Sequence, residues 1–275
     1  MKRPSSSACA LVLLLVSLVG AQVRSTESPR QQAWSILQTN WDEKSTEKRV
    51  QAVRVLALLP RNPRAIELVK KAAVDEKSDV RAAAATVLGE MHGKWAVSIL
   101  HDLLDDPEPS VALAAASTLI QSKDPQAYDA YYEFLTGERK VNNGMIAAQM
   151  KTLKDKKKMA QIGVEGGIGF IPYAGIGLSA YMALHADDVS PVRAESAKML
   201  AGDPDAASGK ALVDATADKS WLVRAAALEA IAKRGDPQLL DGIVPAMQDD
   251  NTLVRCTAAA AVIRLSTLAN TKAKQ

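Results

Sequence analysis

Apolar positions along the chain fall into a pattern that returns about every 31 residues. In DEKSDVRAAAATVL, starting at Asp75, the residues Val80, Ala83, Ala84, Val87 and Leu88 recur at three- and four-residue steps, which predicts a helix with one buried stripe. The strings DPEPSVALAAASTL, DDVSPVRAESAKML, DKSWLVRAAALEAI and DDNTLVRCTAAAAV align with it without a gap. Their first residues are Asp106, Asp187, Asp218 and Asp249, so the successive steps are 31, 81, 31 and 31 residues. A weaker copy, EKSTEKRVQAVRVL, begins at Glu43.

Each copy carries helix punctuation. Ser78, Ser190, Ser220 and Asn251 or Thr252 stand where a side chain caps the first turn, and Pro191 suits a first helical position. Turn signals follow at Asp124-Pro125, Gly202-Asp203-Pro204 and Gly235-Asp236-Pro237. A second helical stretch comes after each turn, as in ASGKALVDATA and QLLDGIVPAMQ. The unit is therefore a pair of helices. One pair cannot bury both of its faces, so neighbouring pairs must stack into a right-handed array, and alanine permits the close approach that stacking needs.

The recurring Asp-x4-Val-Arg anchor within a helix-pair repeat resembles HEAT repeats, in the short form typical of the phycobilin-lyase HEAT-like group. The resemblance runs from Glu43 to about Leu268, apart from the gap between the third and fourth anchors. It implies an all-α fold, an α-α superhelix whose second helices line an inner face. It also implies a structural ladder between repeats, made by Asp75, Asp187, Asp218 and Asp249 with Arg81, Arg193, Arg224 and Arg255. Position 112 is alanine, which interrupts the ladder at the third copy. The likeness lies in the scaffold, and lyase activity does not follow from it.

The ends of the chain read differently from the repeats. MKRPSSSACALVLLLVSLVGA has a basic start, an apolar run from Ala8 to Val19 and small residues at Val19 and Ala21, so residues 1–21 read as a secretory signal cleaved near Ala21. The alternative is an uncleaved anchor, although the run is shorter than the ~20 residues that span a bilayer. Residues 22–42 read as an N-terminal capping helix, 43–139 and 187–268 as repeats, and 269–275 as a polar tail. These assignments place the protein in the periplasm or cell envelope, or release it from the cell. The net formal charge of +3 falls by two with Lys2 and Arg3, leaving no global field for nucleic acid. Cys256 remains as the one cysteine of such a mature chain, at a position where other copies carry alanine. It reads as a buried apolar residue.

The 81-residue step exceeds one period by 50, and the surplus reads as an irregular enlarged unit over residues 140–186 within the stack. A lysine-rich helix with Lys154, Lys156, Lys157 and Lys158 leads there into a glycine-rich stretch carrying Phe170, Ile171 and Tyr173. No strand precedes these glycines and no lysine follows them, which opposes a phosphate loop. A transmembrane reading of 166–186 conflicts with the placement of the lysines and of Asp187 and Asp188. A glycine-rich hairpin packed on the solenoid is the preferred reading. Every Tyr and Phe of the chain falls between Tyr128 and Tyr181, and Tyr128, Tyr131 and Tyr132 read either as inner-face anchors or as a stripe of core.

Reactive constellations are sparse. The histidines are His92, His101 and His185, and none stands in the His-Glu pairs of the di-iron HEAT-repeat hydroxylases. No cofactor is expected. The pattern points to a non-enzymatic, exported scaffold that binds another protein through its inner face and the irregular central unit, with docking to anionic lipid through the lysine helix and the glycine-rich loop at Phe170, Ile171 and Tyr173 as the alternative. The lipid alternative predicts flotation with anionic liposomes that salt abolishes and that neutralising Lys156, Lys157 and Lys158 removes, since each lysine near such a surface contributes about 1 kcal/mol. Absence of flotation at low salt would exclude it.

Overall fold

Alanine-rich bodies between Asx-type starts and glycine or proline stops leave little choice but helix. A computed structural model describes residues 27–138 and 189–272, and the described residues form twelve α-helices and no strand. They are α1 (Pro29–Trp41), α2 (Thr46–Arg54), α3 (Pro63–Ala72), α4 (Ser78–Met91), α5 (Lys94–Leu104), α6 (Pro109–Leu119) and α7 (Pro125–Thr136). After the segment 139–188 come α8 (Ser190–Met199), α9 (Ala206–Ala215), α10 (Trp221–Arg234), α11 (Leu240–Ile243) and α12 (Thr252–Lys272). The enlarged unit over 140–186, with its lysine helix and glycine-rich stretch, lies outside the described residues, as do the segment 1–21 and residues 273–275, whereas residues 269–272 of the expected polar tail continue α12.

The first helices of the repeats stack side by side, α2 on α4 on α6 and α8 on α10 on α12, with the second helices leaning across successive neighbours. The two stacks meet at a point the sequence reading did not anticipate. Helix α12 packs along α1, and α12 also touches α2 and the 3-10 turn Val55–Leu58 that follows it. One helix pair is thus assembled from opposite ends of the chain. The row runs α6, α4, α2, α12, α10, α8, and the two helices that flank segment 139–188 belong to opposite ends of it.

The helix expected over residues 22–42 is observed as α1, whose buried face of Ala33, Trp34, Leu37 and Asn40 lies between α2 and α12. To the expected succession of repeats the described residues add continuity between the last helix and the first. The physical reason is burial. Helix α12 is apolar nearly all round, with Val254, Cys256, Ala258, Ala259, Ala260, Ala261, Val262, Ile263 and Leu265 all without solvent exposure. A helix of that composition needs neighbours on every side. It is also the one described helix long and apolar enough to cross a membrane, and its apolar faces are spent on α1, α10 and the turn after α11.

Local chemistry refines the helix starts. Ser28, Ser45, Asn62, Asp124 and Asp205 cap their helices through the side chain, Ser28 in a capping box with Gln31. At α12, Asn251 Oδ1 accepts the N–H groups of Leu253 and Val254. Ser78 and Ser220 do not cap as expected: Ser78 is the first residue inside α4, and Ser220 precedes α10 without a side-chain bond. The repeat aspartate does the work instead, since Asp75 accepts from Lys77 N–H and Asp218 from Ser220 N–H, folding the turn two residues earlier. Where α4 and α6 cross, Gly89 leaves no room for a side chain, because a Cβ there would lie 2.6 Å from Thr118 Cγ2.

Because α1 closes the junction, Leu37→Ala, at a position with 1% exposure, is expected to lower unfolding stability by about 2–5 kcal/mol. The cost should register in one urea transition seen alike by Trp95 in the first stack and Trp221 in the second. Separate transitions for the two stacks would refute the joint.

Candidate interaction surface

The repeat aspartate and arginine face each other across successive units, each pair joining one repeat to the next. Arg81 Nε and Nη2 donate to Asp106 at 2.7 and 2.8 Å, and Arg224 donates in the same fork to Asp249 at 2.6 and 2.9 Å. Arg49 reaches Asp75 at 3.1 Å, and Arg193 pairs with Asp218. The remaining Nη1 of Arg81 and of Arg224 turns back to its own repeat, donating to Asp75 O and to Asp218 O respectively. A single arginine thus ties a helix start to itself and to the next unit. Arg49 and Asp106 were missed as rungs, although the alignment at Glu43 and the 31-residue step both held the signal. Asp187 lies outside the described residues.

At the chain's joint the rung is absent. Arg255, whose counterpart across the joint is Glu43, donates instead to Asp249 O, Asp250 O and Thr252 Oγ1. Glu43 pairs with Lys48 at 3.1 Å. Closure there relies on apolar packing and on a long-range hydrogen bond from Arg264 Nη1 to Leu58 O at 2.8 Å.

Electrostatics follow the geometry. Burial opposes ionisation of Asp106, Asp218 and Asp249, but hydrogen bonds from the arginine and from the N–H two residues on outweigh it, so each carboxyl lies below its ordinary range. The hydrogen bond to the aspartate, and then its charge against a desolvation that works the other way, raises Arg81 and Arg224. Burial pushes the Cys256 thiol up to about 12, which keeps it protonated and inert.

The tyrosines divide. Tyr131 packs against the core, whereas Tyr128, Tyr132 and Leu135 lie on one face of α7 with exposures of 53%, 61% and 86%. Their spacing of four and three residues puts them in one row. Val189, Val192 and Met199 are exposed at the start and along the body of α8. Lys154, Lys156, Lys157, Lys158, Phe170, Ile171 and Tyr173 lie outside the described residues. His101 Nε2 lies 2.9 Å from Asp124, the cap of α7, and among the described residues no three His, Cys, Asp or Glu side chains converge as a metal site.

Stacked helix pairs with an arginine–aspartate ladder define an α-solenoid. The model for HEAT repeats matches residues 36–120, 79–141 and 181–267, and the chain belongs to the HEAT-repeat family. Among curated proteins none matches its sequence. Similar solved structures include human deoxyhypusine hydroxylase in complex with glycerol, at 18% identity over 87% of this chain and 97% of that one, with a TM-score of 0.34. The complex of CpcE and CpcF of phycocyanin lyase from Nostoc sp. PCC7120 is also 18% identical, over 98% and 99%, with a TM-score of 0.32.

Arg224 and Asp249 have side chains 18% and 12% exposed, so Arg224→Ala is expected to cost about 1.5–3 kcal/mol by leaving a partly buried carboxylate without its partner. Arg224→Lys should restore only part of this, since an ammonium cannot make the fork. Because the folded carboxyls are depressed, their contribution is complete above the unfolded value of about 3.9 and is lost as pH falls through the folded value. Melting temperature against pH should therefore drop more steeply below about pH 4 in the parent than in Arg224→Ala; parallel curves would exclude the ladder as the source.

Proposed function

We propose that this chain is an exported, non-enzymatic scaffold that holds another protein against its helical surface, with α7 contributing a principal contact. The observation that carries this reading is the exposed row Tyr128, Tyr132 and Leu135, standing beside a partly buried tyrosine of the same helix that packs against the core. Aromatic side chains serve well as interface anchors, since they bury a large area while losing few rotamers. A surface built on stacked helices needs little ordering on binding. Membership of the HEAT-repeat family fits a protein-binding role. Export rests on the basic and apolar pattern of residues 1–21.

The triple variant Tyr128→Ala, Tyr132→Ala, Leu135→Ala tests the contact. All three side chains are exposed, so each change is expected to leave stability within about 0.5 kcal/mol. Cross-linking in cells that express the chain should yield partners with the parent that are absent with the triple variant. Identical partners would remove α7 from the interface. N-terminal sequencing of the accumulated protein should begin at Gln22; a chain that retains residues 1–21 and stays with the cytosolic fraction would overturn export.

A further inference from the structure

The joint between the two ends of the chain encloses an open cavity of 960 Å³. The first stack contributes Leu58, Leu59, Arg61 and Ile66 around the α2–α3 turn, and Met91, His92 and Trp95 where α4 gives way to α5. From the other side come Arg30 of α1, Lys233 at the end of α10, and Arg264, Thr267 and Leu268 of α12. The volume falls in the range of pockets that hold small organic molecules. The floor is apolar, with Leu58, Leu59 and Met91 all buried.

Its charge is one-sided. Four permanent cations, Arg30, Arg61, Lys233 and Arg264, line the cavity against one acid, Glu90. Lys233 is occupied by Glu229 at 2.6 Å on the outer surface. Arg264 differs from the ladder arginines, since among the described residues it has no carboxylate partner. Its Nη1 donates to Leu58 O, and its Nε is buried without any hydrogen-bond partner. Burial alone acts on this guanidinium, depressing its proton affinity with no opposing anion. A partly buried guanidinium without a carboxylate, in a cationic cavity with an apolar floor, calls for an anion that carries its own apolar body.

We propose that this cavity binds a small amphipathic anion, one carboxylate on an apolar body, with Arg264 taking the carboxylate and Leu58, Leu59, Ile66, Met91, Trp95 and Leu268 covering the body. A guanidinium fork pairs best with a planar carboxylate. Since the walls come from both ends of the chain, the bound anion also holds the joint closed, and binding raises the melting temperature of the whole protein.

The test uses laurate below its micelle concentration, dodecanol as the tail without charge, and an acetylated apolar dipeptide with a free carboxylate beside its amide. Binding is read by Trp95 fluorescence, with melting temperature as a second readout. Laurate or the free dipeptide should bind at least tenfold more tightly than its uncharged partner, and whichever binds more tightly identifies a fatty acid or a peptide terminus as the source. Arg264→Gln should weaken anion binding about tenfold while leaving dodecanol unchanged, the loss of one charge-assisted pair. Should that variant fold poorly, Arg61→Gln with Lys233→Gln on the exposed rim should lower anion affinity severalfold. Equal binding of charged and uncharged probes, no binding of any probe at millimolar concentration, or affinity unmoved in a folded Arg264→Gln protein would overturn the proposal.

Discussion

The contact of α12 with α1 is the constraint from which the architecture follows. A solenoid of helix pairs ordinarily leaves an apolar face uncovered at each end, and a protein must cap it or associate through it. Here two such faces, one from each terminal region, cover one another. Helix α12 can therefore be apolar nearly all round through its middle turns, and α1 can carry Trp34 and Leu37 without a polar sheath. The remaining ends of the stack, α6 with α7 and α8, are those joined by segment 139–188 and those that display exposed Tyr128, Tyr132, Leu135, Val192 and Met199.

Two kinds of force divide the labour of holding units together. Apolar burial supplies most of the driving force and is indifferent to small slips between alanine-rich helices. The Arg81–Asp106 and Arg224–Asp249 forks are directional and partly shielded from water, so they fix each unit at one height and angle against the next. At the joint, where Arg255 and Glu43 make no pair, the bond from Arg264 to Leu58 supplies a directional contact with a neutral carbonyl as acceptor. The cavity opens at this less constrained place.

Helices, period and ladder were readable in the sequence because each is written locally: a stripe at three- and four-residue steps, and an aspartate six residues before an arginine. Asp75 with Arg81 announces a rung wherever it recurs, and even the missed Arg49 stands in the aligned position. The closure was not readable. Alanine-rich stripes state that a face must be buried but not by which neighbour, and α12 looks like any other repeat helix when read alone. The 81-residue step counts residues and carries no information on which ends meet. Tyr131 and Tyr132 are adjacent in sequence and differ in exposure through a 100° rotation about the helix axis, which a residue pattern resolves only when the packing partner is known.

The split pair also sets an order of events in biosynthesis. Arrays of repeats contact only their sequence neighbours and can zip up as they are made, whereas Arg264 and Leu58 stand 206 residues apart. At ribosomal rates of about 5–20 residues per second, roughly 10–40 s separate completion of α1 from the first turn of α12. Throughout that interval Trp34 and Leu37 lack the neighbour that covers them. The nascent chain is therefore committed to waiting in an incomplete form, open to chaperones, until its final helix returns to the first.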